Sequence, residues 1–153
     1  TYEGRVDRAL LAREVAGRPE RLKALEAIVH PLVTQAEIDF LCEQEASGAA
    51  MAVLEIPLLF ETGAESRVDV TVTVSAPEDV QRQRVLERDG MSVQKFEALR
   101  ARQLGDADRR ARADHVLDSG LTLENLHAQL DVLVESLKLK DGRVMERLRA
   151  SRS

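Results

Sequence analysis

The chain has 153 residues, with 44% hydrophobic and 32% charged residues and a net charge of −5, which is ordinary globular composition with room for one domain and a real core. Aromatic residues make up only 3% with no Trp, which argues against stacking platforms for single-stranded nucleic acid, and the net negative charge argues against general nucleic-acid affinity. A single cysteine, Cys42, excludes an internal disulfide and fits a reducing cytoplasm, and no apolar run reaches the length of a membrane span.

Thr1 to Arg8 carries no initiator methionine and reads as the interior of a longer chain. Asp7 is a suitable N-cap for a short helix to about Glu14, with Leu10, Leu11 and Val15 on its apolar side. Gly17 and Pro19 punctuate the passage into a second helix, where Leu22, Leu25, Ile28 and Val29 recur at helical spacing. His30-Pro31 is expected to interrupt that helix, because a residue before proline is pushed away from αR geometry. Helical pattern resumes at Leu32 and closes at Ser47-Gly48.

Ala49 to Phe60 is almost unbroken apolar sequence and reads as a strand buried on both faces, centred on about 52–57. Glu55 lies within it and Glu61 at its end; an ionised Glu55 would be costly to bury without a partner. A second strand is predicted over Val68 to Val74, where β-branched residues alternate. Ser75-Ala76-Pro77-Glu78 starts a helix over about 78–88, ending at Asp89-Gly90. Ser92 caps another helix to about Leu104, a short third strand covers His115 to Asp118, and Thr122 or Leu121 opens a long helix striped with Leu123, Leu126, Leu130, Leu133 and Leu137. The stretch 138–153 forms a basic tail, helical for a turn or two or disordered.

From Arg82 to Arg112 nine basic residues face five acidic ones, a local +4 inside an acidic chain. Such a stretch suits a small phosphorylated ligand, although for most of these arginines a solvated helical face laced with salt bridges is the better reading. The three histidines and Cys42 show no metal-ligand spacing, so no metal site is read. Ser47, Ser75 and Ser119 read as caps and turns, and no G-x-x-x-x-G-K-[ST] loop occurs in the 153 residues. The residues alone support an α/β domain with an arginine-rich mobile segment.

One ordered set of motifs goes further. Gly4-x-x-Asp7-Arg8-x-x-Leu11, Leu25-x-x-Ile28-x-His30-Pro31, Ile56-Pro57-Leu58-Leu59-Phe60-Glu61, Gln81-x-x-Arg84-x-x-x-Arg88-Asp89-Gly90, Gln103 and Ala113-Asp114-x-Val116-Leu117-Asp118 together resemble the dephospho-CoA kinase family over about residues 4 to 137. The resemblance implies a P-loop-kinase-like three-layer α/β/α fold with a parallel sheet, a substrate-binding helical part over about 8–46 and a lid over about 84–112. It implies transfer of the ATP γ-phosphate to the ribose 3′-hydroxyl of dephospho-CoA, with ATP and Mg2+ in the parent enzyme and a cytoplasmic location.

The family's phosphate-binding loop and Asp-x-Asp element fall outside the matched motifs. These 153 residues are therefore expected to form an N-terminally truncated domain that binds ATP and Mg2+ poorly and is inactive alone. The three predicted strands would be the third, fourth and fifth of a 2-3-1-4-5 sheet, leaving an edge prone to self-association. By resemblance, His30 and Pro31 belong to the dephospho-CoA side, although His30 is equally a packed structural histidine. Leu58 and Glu61 line the acceptor side, with Leu58 more a pocket wall than a chemical group. Arg84 and Arg88, one helical turn apart, would close over transferring phosphates. Arg109 is a second basic position of the lid, and Asp118-Ser119-Gly120 would flank adenine, though family members often carry Asn before the Gly. Two alternatives stay open: a kinase for another nucleoside or nucleotide, and a binding or scaffold module without a P-loop.

Overall fold

In the computed structural model, residues 6–150 are described; Gly4 of the first motif and the last three residues of the tail lie outside them. The chain divides into two compact units, up to Ala52 and from Val53 onward.

The first unit is a helical pair. Helix α1 (Arg8–Val15) is capped by Asp7, whose carboxylate accepts the Leu10 amide at 2.9 Å, as the sequence predicts. Helix α2 runs unbroken over Pro19–Ala46, with Pro19 at its first turn. Pro31 therefore does not interrupt it, contrary to the expectation from His30-Pro31. A proline inside a helix removes one i→i−4 hydrogen bond, whereas breaking the helix would leave two further ends with orphan amides and carbonyls. Ser47 and Gly48 end the helix as predicted, with Gly48 in the left-handed region at φ 74°. Ile28 and Leu32 on α2 are about two-thirds exposed (65% and 66%).

The second unit is α/β. Strands β1 (Val72–Ser75) and β2 (His115–Asp118) form a parallel two-stranded sheet in the register Val72↔His115 to Ser75↔Asp118. Helices α3 (Glu78–Leu86), α4 (Val93–Arg100) and α5 (Asp106–Arg112) make the crossover between them. Helix α6 (Leu123–Leu137) follows β2 from its N-cap Thr122, and α7 (Val144–Ala150) gives the basic tail an ordered element. Phe60, Ala64, Thr71, Ser75, Ala76, Phe96, Leu117 and Leu133 are its buried residues.

Three sequence expectations change here. The predicted strand around 52–57 is absent: residues 51–56 are irregular and Pro57 to Gly63 forms turns. A strand is completed by its neighbour, and among the described residues none ladders with this run, so its apolar character does not make it a strand. Val53 is 79% exposed and Glu55 is exposed too, which removes the cost of burying the Glu55 charge. The strand predicted over 68–74 begins only at Val72, because Val68, Asp69 and Val70 precede the ladder. The helix opened by Ser92 ends at Arg100 instead of near Leu104, and Asp106–Arg112 forms a helix of its own after Gly105.

Candidate functional site

Both strands of a parallel pair point their C-terminal ends the same way, and open α/β sheets bind ligands beyond those ends. Here these ends are Ser75 and Asp118. The buried Ser75 hydroxyl lies 2.9 and 2.8 Å from the two carboxylate oxygens of Asp106, to which it donates. Asp106, at the start of α5, in turn accepts from the Arg109 guanidinium at 3.1 Å. Arg109 also reaches Gln103 Oε1 at 3.5 Å. Burial pushes the Asp106 carboxyl up, but the hydrogen bonds from Ser75 and Arg109 and the charges of Arg109 and Arg110 outweigh it and hold the group below its ordinary value.

Ser119, one residue past β2, donates its amide (2.8 Å) and hydroxyl (3.0 Å) to the Ser75 carbonyl. Arg84, in the last turn of α3, donates to the Ser119 hydroxyl at 3.4 Å. The Asp118 carboxylate accepts the Gly120 amide at 2.8 Å. From α6, the Gln129 side chain accepts the Asp118 amide at 2.9 Å and donates to the Asp118 carbonyl at 3.1 Å, much as a neighbouring strand would. Gly120 is required by contact: a Cβ there would stand 2.5 Å from Pro77 Cδ.

The structure thus brings Arg84, Arg109, Asp118 and Gly120 to one end of the sheet. Arg88 lies beyond the α3 C-cap Glu87 and is exposed, so the helical phase that would align it with Arg84 is not kept. Glu61 is exposed within the turns after Pro57 and accepts the Leu104 amide at 2.6 Å, tying this stretch to the segment before α5. Leu58 takes φ 57°, the one non-glycine residue in the left-handed region among those described. His30 and Pro31 are exposed on α2, in the other unit. The structural reading holds for several basic residues between Arg82 and Arg112. Arg100 pairs with Glu78, Arg112 pairs with Glu65 and stacks 4.8 Å from the Phe60 ring centroid, and Lys95 donates to the Gly90 carbonyl at 2.6 Å.

Sequence reasoning missed Ser75, Asp106 and Gln129 as members of this site, and placed Ser119 only within the loop that flanks adenine. Two signals could have found them: a hydroxyl ending a β-branched strand, and the i,i+3 acid–base pair Asp106–Arg109 opening a basic helix. Gln129 left no local signal. Among the described residues, no group of three or more His, Cys, Asp or Glu side chains is arranged to hold a metal ion, and no helix is long and apolar enough to cross a membrane.

The family model described as dephospho-CoA kinase matches residues 1–124. A curated dephospho-CoA kinase from Rhizobium etli is 49% identical over 138 residues, covering 90% of this chain and 68% of that protein. One from Brucella melitensis is 48% identical over 145 residues, covering 92% and 72%. Among solved structures, TT1252 from Thermus thermophilus aligns with a TM-score of 0.73 at 40% identity, over 91% of this chain and 70% of that one. A dephospho-CoA kinase from Campylobacter jejuni, at 22% identity and a TM-score of 0.64, shares the fold.

Proposed function

Because this chain belongs to the dephospho-CoA kinase family, we propose that its parent protein transfers the γ-phosphate of ATP to the ribose 3′-hydroxyl of dephospho-CoA. The hydroxyl oxygen attacks the γ-phosphorus, its proton is lost, and the bond to the β,γ-bridging oxygen breaks to release ADP. Charge spreads over the transferred group as this happens, and fixed cations beside it lower the barrier.

In this reading Arg109 and Arg84 supply those cations at the sheet end, and Arg88 joins them when the lid closes. Asp118, Ser119 and Gly120 flank the adenine, Glu61 and Leu58 border the acceptor, and His30 and Pro31 with the helices over 8–46 receive dephospho-CoA. Magnesium, when bound, would supply positive charge that offsets the phosphates. Among the described residues no carboxylate cluster is arranged to hold the ion. The carrying observation is the joining of Arg84 and Arg109 through Ser119, Ser75 and Asp106 at the ends of β1 and β2.

The 153 residues contain no G-x-x-x-x-G-K-[ST] loop, and alone they are proposed to bind ATP poorly and to give no turnover. Among the described residues strand β1 carries a ladder on one side only, and self-association through its other edge is proposed for the isolated chain. The proposed site of action is the cytoplasm.

Assay of ADP release with ATP, Mg2+ and dephospho-CoA tests both statements on two samples. The product of the full reading frame should turn over, and the 153-residue chain should not. A silent full-frame product, or a chain that matches it, defeats the corresponding statement.

A further inference from the structure

Arg109 is held rather than free, and what holds it is Asp106 anchored on a buried strand-end hydroxyl. An arginine on an exposed seven-residue helix would otherwise sample many rotamers, and fixing it before ligand arrival removes that entropy from the cost of binding. Asp106 and Gln103 take one hydrogen bond from each terminal nitrogen, so the fork keeps donors for a further acceptor. Ser75 is 3% exposed, and its hydroxyl is satisfied by Asp106, so the anchor is part of the folded core and not a surface encounter.

We propose that Asp106 is a positioning residue: carried on Ser75, it aims the Arg109 guanidinium at the C-terminal ends of β1 and β2, where an anionic polyphosphate group is taken up. The proposal rests on the phosphate-binding reading of Arg109 given above. It makes an unusual demand, because removing a carboxylate next to an anion site should tighten anion binding if charge alone matters.

Inorganic tripolyphosphate titrated calorimetrically into the product of the full reading frame supplies the test, with thermal unfolding of each variant alongside. R109A should weaken binding about fivefold or more. D106A should weaken it roughly threefold or more even though a negative charge has been lost, and S75A should weaken it in the same direction. D106N, which keeps an acceptor for Arg109, should recover at least half of the binding that D106A loses. Binding by D106A at or above wild type, or D106N no better than D106A, overturns the assignment. Should D106A not fold, S75A decides, and unaltered or tighter binding overturns it. If R109A binds like wild type, including the case where neither binds, the phosphate reading of Arg109 fails and the proposal with it. If R109A weakens binding and D106A does not, the proposal alone fails.

Discussion

Thr71 and Asp114 lock onto each other one residue before the parallel ladder begins. The Thr71 amide and hydroxyl both donate to Asp114 Oδ2, at 2.8 and 2.7 Å, and the Asp114 amide donates back to the Thr71 hydroxyl at 3.0 Å. Thr71 is buried, so its hydroxyl cannot exchange these partners for water. Replacement by Val keeps the shape and removes the hydroxyl; T71V should lose about 1–2 kcal/mol in urea unfolding, while T71S stays within roughly 1 kcal/mol of wild type. Equal midpoints for T71V and wild type would show that the clamp adds nothing.

Acid should act on the same clamp. Hydrogen bonds from the Thr71 amide and then its hydroxyl, aided by the charges of His115 and Lys140, hold the Asp114 carboxyl below its ordinary 3.8 against an opposing effect of burial, and Asp106 is lowered as well. Both groups have folded values below their unfolded ones. Their stabilisation is therefore present above the ordinary aspartate range and is lost as pH falls below it through the folded values. Urea midpoints measured from pH 6 down to about 3 should fall most steeply below about pH 4, and less steeply in T71V. Parallel profiles for the two proteins would rule out Asp114 as a source of the acid sensitivity.

Gly120 should tolerate no side chain while Pro77 stays in place. A Cβ at 120 would overlap a ring atom that cannot swing away, so G120A should destabilise by roughly 1–3 kcal/mol. The double variant P77A/G120A should recover part of that loss, since the obstructing ring is gone. A double-mutant cycle with no coupling would mean that the loop moves aside freely.

Glu61 predicts a change in dynamics more than in stability. Its carboxylate is the acceptor for the Leu104 amide, which otherwise faces the end of an exposed segment. Hydrogen exchange at Leu104 should therefore quicken several-fold in E61A and much less in E61Q, which keeps an acceptor oxygen. Unaltered exchange in E61A would place the protection elsewhere.

Local chemistry was legible wherever a residue acts on its own backbone neighbours: the caps Asp7 and Ser92 and the stop at Ser47-Gly48 stand where the sequence puts them, and of Thr122 and Leu121, both offered as the start of α6, Thr122 is the cap. So was β2, whose boundaries match, because Ser119-Gly120 marks its end. The apolar run over 49–60 misled for the opposite reason. Apolar character says that a segment prefers burial, but a strand also needs hydrogen-bond partners, and those belong to other parts of a chain. The site divided in the same way. Arg84 and Asp118 stand in the quoted motifs, Arg109 and Gly120 were implied by the resemblance, and the four meet at the sheet end, whereas Arg88 does not share the Arg84 helix. Ser75, Asp106 and Gln129 acquire their roles only when residues 31 and 11 positions apart in sequence come within hydrogen-bond distance.

The partners of the Thr71–Asp114 clamp stand 43 positions apart, and between them lie β1 and the whole crossover that carries Arg84, Arg88 and Arg109. Before the ladder can register, the chain must close this loop, and its closure entropy has to be met before any strand contact repays it. Helices α3, α4 and α5 shorten the distance once they are formed. A substitution placed in the arginine-rich segment to probe phosphate binding therefore also resets how fast the sheet assembles. Refolding rates of such variants belong beside their binding curves, because a chain slow to join β1 to β2 leaves both strands exposed to its neighbours in the meantime.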